Sequence, residues 1–255
     1  MKRTLTFMKN GLVVLSVFAM LSGCNPKPKN ANDNVEPETV AEPTEVVEQP
    51  EDVNVTAVYE IPCDFFEVMA VMSDGAALIF RRDDGDDNVM VMGPMYEEYW
   101  DYVKNGIEGS DQIHFTFKDQ LENVVIPATI TFDGVTYSVS ALSEESFADC
   151  KSLVSVTIPE GVYDIREAAF IGCDALVSVQ IPESMMMIEE RAFYNCASLP
   201  SLTIPGKVVY FGEGIFCGCD KLTTLVFKRA DVEFNYDVVF ASCDHLIPIS
   251  VKYEE

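Results

Sequence analysis

Phe170-Ile171-Gly172-Cys173-Asp174-Ala175-Leu176-Val177-Ser178-Val179-Gln180-Ile181-Pro182 is one of five copies of a single phrase, Phe-x-x-Cys-x-x-Leu-x-x-Val-x-Ile-Pro. The copies open at Phe147, Phe170, Phe193, Phe216 and Phe240, in steps of 23, 23, 23 and 24 residues. Cysteines (Cys150, Cys173, Cys196, Cys219, Cys243) and leucines (Leu153, Leu176, Leu199, Leu222, Leu246) keep the same phase. Each Leu is followed by an apolar pair two apart: Val156/Ile158, Val179/Ile181, Leu202/Ile204, Leu225/Phe227 and Ile249/Val251. Pro159, Pro182 and Pro205 close the first three pairs. A fixed period with apolar residues in constant phase marks a solenoid, in which no coil buries its apolar side alone but stacked coils share one core.

Two apolar residues flanking a polar one have the period of a half-buried strand. A proline just past the strand suits a place where no ladder donor is needed. A second apolar pair follows in each coil (Val162/Ile165, Met185/Ile188, Val208/Phe211), and the chain then returns to the next Phe and Cys. The wording, with Ala-Phe-x-x-Cys-x-x-Leu and Ile-Pro, resembles the BspA-like (Treponema-type) leucine-rich repeat family of bacterial surface proteins. The resemblance covers residues 124–251, and the stretch Ile126 to Tyr137 resembles the hairpin that starts such arrays. It departs at Gly214-Ile215, at Lys228 in place of Pro, and at the extra residue of the fourth step. The expected fold is a leucine-rich repeat β-solenoid with a short strand in each coil, preceded by a small α+β, β-rich domain.

Residues 1–23 read as a targeting segment: Lys2, Arg3 and Lys9, then an apolar run from Gly11 to Leu21 that is short for a membrane span. Leu21-Ser22-Gly23-Cys24 resembles the lipobox of bacterial lipoproteins, which implies cleavage before Cys24 and lipid attachment to it. Several acyl chains on one residue anchor stably. Residues 24–55 read as a disordered acidic, Pro-rich tether, with Pro26, Pro28, Pro37, Pro43 and Pro50 and hardly a large apolar residue but Val. The whole chain carries a formal charge of −25, and residues 1–23 hold three basic groups and no acid, so their removal leaves −28. Such a charge excludes nucleic acid as partner, because its phosphates require Lys and Arg, and opposes lying flat on an anionic membrane.

Residues 56–123 lack the period and read as a separate small unit, expected to pack on the first coil and shield the open end of the array. Ala76–Arg82 and Asn88–Met92 read as strands around the turn Asp83–Asp87, Met95–Asn105 as a helix closed by Gly106, and Ile113–Phe117 as a further strand. The array proper is assigned to residues 124–255, about five coils with an opening hairpin and a C-terminal cap.

Chemistry is sparse. Five cysteines at one coil position behave as small buried apolar residues and are expected to be free thiols. Cys217-Gly218-Cys219 has neither a second thiol pair nor spaced histidines for zinc, and the acidic turn lacks the spacing of a calcium loop. His114 and His245 have no motif neighbour that would make either a general base, and no nucleophile, phosphate-loop or metalloprotease motif is present. No cofactor, metal or catalytic residue is expected, and the chain reads as a non-enzyme.

The face left over is a binding surface. Residues between the buried ones of each strand point outward, which gives a small, nearly uncharged ladder: Ser155, Thr157, Ser178, Gln180, Ser201, Thr203 and Thr224. Tyr163, Met186, Met187 and Tyr210 form a second column beside it, part of which faces solvent. This suits a protein or glycan ligand better than a charged one. The expected role is a lipid-anchored adhesion or binding protein of the cell envelope, at the outer-membrane surface. The alternative is a periplasm-facing structural or accessory lipoprotein that holds an envelope partner.

Overall fold

The computed structural model describes residues 55–61, 67–82, 88–104, 107, 110–229, 235–241 and 249–253. Cys24, the tether, the turn Asp83–Asp87, Gly106, Cys243 and His245 lie outside the described residues.

The described residues begin as an antiparallel meander of β1 (Val55–Glu60), β2 (Glu67–Met72), β3 (Ala77–Arg82) and β4 (Asn88–Pro94). β2 is buried along its whole length, as a strand covered on both faces must be. It begins with Glu67, a carboxylate 4% exposed that pairs with Arg81 and accepts the Tyr99 hydroxyl at 2.7 Å. That satisfies the charge locally and gives Glu67 a structural role. Helix α1 is Glu97–Val103, shorter than the Met95–Asn105 expected. Met95 instead continues the strand, its N–H donating to the Ala77 carbonyl. Ile113–Phe117 is not a strand: Thr116 alone bridges, to Ala76, while Phe115 packs edge-on to Trp100 at 5.0 Å and to Phe117 at 4.9 Å. Its alternation reflects packing under the helix, a second use of period two.

After β5 (Asn123–Val125) come the hairpin strands β6 (Thr129–Phe132) and β7 (Val135–Leu142), turning at Asp133-Gly134, both with positive φ. β4 pairs in parallel with β7, so the meander continues the sheet of the repeats, and one apolar core runs from Val68 to Phe240.

The first three coils then place a strand in each of two stacks. The last two add a strand to the first stack alone among the described residues. β8 (Ser155–Thr157), β10 (Ser178–Gln180), β12 (Ser201–Ile204), β14 (Thr224–Phe227) and β15 (Ser250–Tyr253) arise from the Leu-x-x-Val-x-Ile part of the phrase. β9 (Asp164–Ile165), β11 (Met187–Ile188) and β13 (Tyr210–Phe211) arise from the second apolar pair and extend the sheet from β7. Helix α2 (Tyr236–Val239) stands in the last coil, capped by the Asn235 side chain. Between the two strands of a coil, the Pro159, Pro182 and Pro205 carbonyls accept the N–H groups of Val162, Met185 and Val208, closing a short turn that needs no proline donor. The protein is therefore a leucine-rich β-solenoid.

The phrase explains its own letters. Phe147, Phe170, Phe193 and Phe216 stack ring on ring with centroids 5.2, 5.3 and 5.9 Å apart, and Phe240 follows at 5.9 Å. Leu153, Leu176, Leu199 and Leu222 are wholly buried between them. The thiols of Cys173, Cys196 and Cys219 donate to the carbonyls of Phe147, Phe170 and Phe193 at 3.1, 3.2 and 3.1 Å. A small residue with a weak donor thus fills the gap and satisfies a carbonyl of the preceding coil. Two backbone positions per coil lie in the left-handed region: Glu145, Ala168, Arg191 and Gly214, and Asp149, Gly172, Asn195 and Gly218. Gly214, a departure from the repeat wording, is the residue best suited to its place.

Candidate binding surface

The two candidate sets lie on different stacks. The hydroxyl residues follow β8, β10, β12 and β14, in register Ser155↔Ser178 and Ser201↔Thr224, with Thr157↔Gln180 beside the first pair. Ser178, Ser201 and Thr203 are exposed, whereas Ser155, Thr157, Gln180 and Thr224 are half-buried. The Ser155 hydroxyl donates to Asn123 Oδ1 at 2.7 Å, which takes it up within the protein.

This ladder is interrupted. β5, β8 and β10 form one sheet and β12, β14 and β15 another. Val177 and Ser178 both donate to the Val154 carbonyl, and Thr223 donates to the Pro200 carbonyl. Pro200 occupies the corresponding position of the third coil and has no N–H to give to Val177. The break between the two sheets thus falls at the coil where that donor is missing.

The other column is continuous. Met186 donates to the Tyr163 carbonyl at 2.9 Å and Val209 to the Met186 carbonyl at 2.9 Å. The next position along runs Asp164, Met187, Tyr210 in parallel register. Tyr163 is 37%, Met186 46%, Val209 66% and Tyr210 52% exposed, and Met187 is half-buried. Val162, Met185 and Val208 beneath them are fully buried, the division expected. At the last coil the column runs into an open hollow of about 190 Å³ lined by Val209, Tyr210, Phe211, Asn235, Val238 and Val239. α2 thereby adds the exposed Val238 to the apolar row, a contribution that no repeat phrase announces.

Asp164 departs from its neighbours. It is 3% exposed, its Oδ2 meets Arg166 Nε at 3.3 Å, and its Oδ1 is buried without a hydrogen-bond partner among the described residues. Burial, reinforced by the nearby Glu189 carboxylate and opposed by Arg166, lifts its carboxyl to about 6.

Beyond the strands of this column lies an acid row. Glu144, Glu167, Glu190 and Glu213 recur at 23-residue steps, with Glu145 and Glu189 beside them and Arg166 and Arg191 interspersed. Glu167 has its carboxyl raised, first by burial and then by Glu190 and Glu144, with Glu189 adding and Arg191 opposing. Glu189 acts on both Asp164 and Glu167, so the row adjoins the column directly. The opposite flank is mixed. Glu160 accepts the backbone N–H groups of Glu183 and Ser184, Glu183 pairs with Lys228, and Lys207 is exposed.

Cys150, Cys173, Cys196 and Cys219 are buried free thiols. Burial pushes Cys196 up and Cys219 up to about 12; Cys173 is raised first by its hydrogen bond with Cys150 and then by burial. Cys217, the off-register cysteine, is not free but disulfide-bonded, and its Sγ lies 3.1 Å from the Ala241 carbonyl oxygen. Among the described residues no group of three or more His, Cys, Asp or Glu side chains is arranged to hold a metal ion. His114 is exposed, with Nδ1 2.9 Å from the Gln112 carbonyl. Among the described residues no helix is long and apolar enough to cross a membrane.

The fold and its phrase define a leucine-rich repeat protein. Residues 140–253 match the family model of the BspA type leucine rich repeat region in 6 copies, one more than the five phrases counted from phenylalanine. Among solved structures, the Treponema pallidum leucine-rich repeat protein is similar at 20% identity and a TM-score of 0.45, over 68% of this chain and 60% of that one. A leucine-rich repeat protein from Bacteroides capillosus is similar at 26% identity and 0.45, over 59% of this chain and 93% of that one. The pneumococcal vaccine antigen PcpA is similar at 22% identity and 0.44, over 56% of this chain and 33% of that one. The chain thus spans less than two thirds of the first of these proteins and about one third of the third. No curated protein matches.

Proposed function

We propose that the chain is a non-catalytic, lipid-anchored binding protein of the cell envelope, displayed at the outer-membrane surface. Its repeats would hold a protein or glycan partner on the stack of β9, β11 and β13. One observation carries this reading: the column Tyr163, Met186, Val209 and Tyr210 stays 37–66% exposed on a chain of charge −25. An apolar row kept in water along several coils is characteristic of a contact surface. Leucine-rich repeat proteins in general mediate protein binding, and Leu21-Ser22-Gly23-Cys24 supports the anchor. The hydroxyl ladder is the weaker candidate, because it is divided between two sheets and four of its seven members are partly buried.

The test is retention of a panel of host matrix proteins, envelope proteins and glycans on the immobilised chain. Met186→Arg with Val209→Arg should abolish retention, and Ser178→Arg with Ser201→Arg should leave it. Loss with the second pair alone would move the site to the ladder. A ligand kept by both pairs would refute the reading.

A further inference from the structure

We propose that the partner of the β9–β11–β13 face is a basic amphipathic protein segment, apolar along its middle and cationic along the edge that meets the acid row. The proposal rests on the preceding reading of that face as the contact surface and adds the chemistry of the partner.

Three observations converge. Tyr163, Met186, Val209 and Tyr210 are exposed in a column whose coils are tied by direct backbone hydrogen bonds, so the row is a fixed feature. Glu144, Glu167, Glu190 and Glu213 repeat the same 23-residue step three or four residues further along each coil, about 10–14 Å along an extended chain. In that strip, residues 143–145, 166–168, 189–191 and 212–214 hold six glutamates against two arginines. On the opposite flank Lys207 and Lys228 balance Glu160 and Glu183, Lys228 by pairing with Glu183 directly. The acid strip keeps an excess of four glutamates even with Arg191 paired to Glu190. The face is therefore apolar in the centre, negative on one side and near neutral on the other.

A neutral glycan would leave the acid row without a counterpart. An anionic ligand or an anionic lipid surface would be repelled by it. A segment with Lys or Arg along one edge matches both strips. Charge at such a rim acts through attraction over several ångströms, so binding should weaken with salt, whereas the apolar contacts should not.

The experiment uses the purified full-length chain and three labelled 18-residue probes read by fluorescence anisotropy. One is an amphipathic lysine–leucine peptide, one replaces every lysine with glutamate, and one is oligolysine of equal charge. The lysine–leucine peptide should bind, and its Kd should rise about tenfold between low and moderate salt. The glutamate peptide should not bind, and oligolysine should bind about tenfold more weakly for lack of the apolar strip. Glu167→Gln with Glu190→Gln and Glu213→Gln should weaken binding about tenfold at low salt and flatten the salt dependence. Glu144→Gln with Glu213→Gln, both at exposed positions, should act in the same direction and guards against misfolding of the triple variant. Met186→Ser with Val209→Ser should weaken binding at every salt concentration. Asp149→Asn with Asp174→Asn and Asp220→Asn removes equal charge elsewhere on the coils and should leave Kd unchanged.

If that distant triple variant loses as much affinity as the glutamate triple, bulk charge explains the binding and the proposal fails. It fails equally if the glutamate peptide binds as well as the lysine peptide. A panel ligand lost by Met186→Arg with Val209→Arg, while no basic probe binds, would keep the contact face and overturn the basic partner.

Discussion

Replacing Asp164 with Asn should stabilise the protein at neutral pH, and the pH at which the gain fades is set by the site. The carboxyl is 3% exposed, one oxygen is unpartnered among the described residues, and Glu189 lies near. Its pKa is lifted from 3.8 to about 6, a little over two units, and each unit is worth about 1.4 kcal/mol. The sign follows from linkage. A carboxyl whose folded value is raised contributes stability that is fully present below the unfolded value and is lost as pH rises through the folded one. Acidification from pH 7.5 to 4.5 should therefore return about 2 kcal/mol through this group, and below pH 4 about 3 kcal/mol. Asn has the same shape and no charge. The contact with the partly exposed Arg166, which Asn gives up, already enters that net rise as an opposing cause. The variant should thus be about 1–3 kcal/mol more stable than the parent at pH 7.5 and near parity at pH 4.5. Urea unfolding of both proteins at pH 7.5, 6 and 4.5 measures the difference, in which titrations shared by parent and variant cancel. A variant less stable at pH 7.5, or a difference that does not change with pH, would refute the burial argument.

Leu176 is fully buried in the second coil, so Leu176→Ala should cost about 2–5 kcal/mol and loosen hydrogen-exchange protection around residues 150–200; unchanged protection would contradict a shared core. Cys150, Cys173, Cys196 and Cys219 should react with a thiol reagent at pH 8 far more slowly than free cysteine and fully after unfolding, and rapid reaction of the native protein would place them at the surface. Cys24→Ala should leave an unlipidated precursor that partitions into the aqueous phase on detergent separation; recovery in the membrane fraction equal to the parent would exclude the anchor.

What the sequence made legible was whatever repeats. Phe147, Phe170, Phe193 and Phe216 kept phase in the chain and stack in space, and the strand of each coil lies where Leu-x-x-Val-x-Ile put it. β2 was missed because Glu67-Val68-Met69-Ala70-Val71-Met72 is covered on both faces and so shows no alternation. Ile113–Phe117 misled in the opposite sense, since its alternation serves an aromatic cluster and not a ladder. At the candidate surface, Tyr163, Met186 and Tyr210 were legible as the residues next to a buried pair. Asp164 was not, because nothing local tells that a carboxylate between Tyr163 and Ile165 is taken inside. Pro200 stood in plain view, but one missing donor matters only once the preceding coil is known to need it.

The period that builds the core also copies the surface, and this separates the two candidate strips. A position repeated every 23 residues stacks its occupants about 4.8 Å apart at the backbone, whatever they are. Stacked hydroxyls cost nothing, so the Ser and Thr ladder is consistent with strand preference alone. Stacked glutamates repel, by about 1 kcal/mol per neighbouring pair even in water-like surroundings. The Glu167 carboxyl is raised first by burial and then by Glu190 and Glu144, the direction such repulsion gives. Arg166 and Arg191 relieve part of it, and further arginines at these positions would relieve more. Stability therefore favours the neutral ladder. In the acid row Arg191 pairs with Glu190 at 3.2 Å and the Glu167 N–H donates to Glu189 at 3.0 Å. These contacts offset part of the repulsion and leave a net negative strip that a cationic counterpart would neutralise. That strip lies beside the column of exposed tyrosine, methionine and valine, which is where the proposed partner would supply such a counterpart.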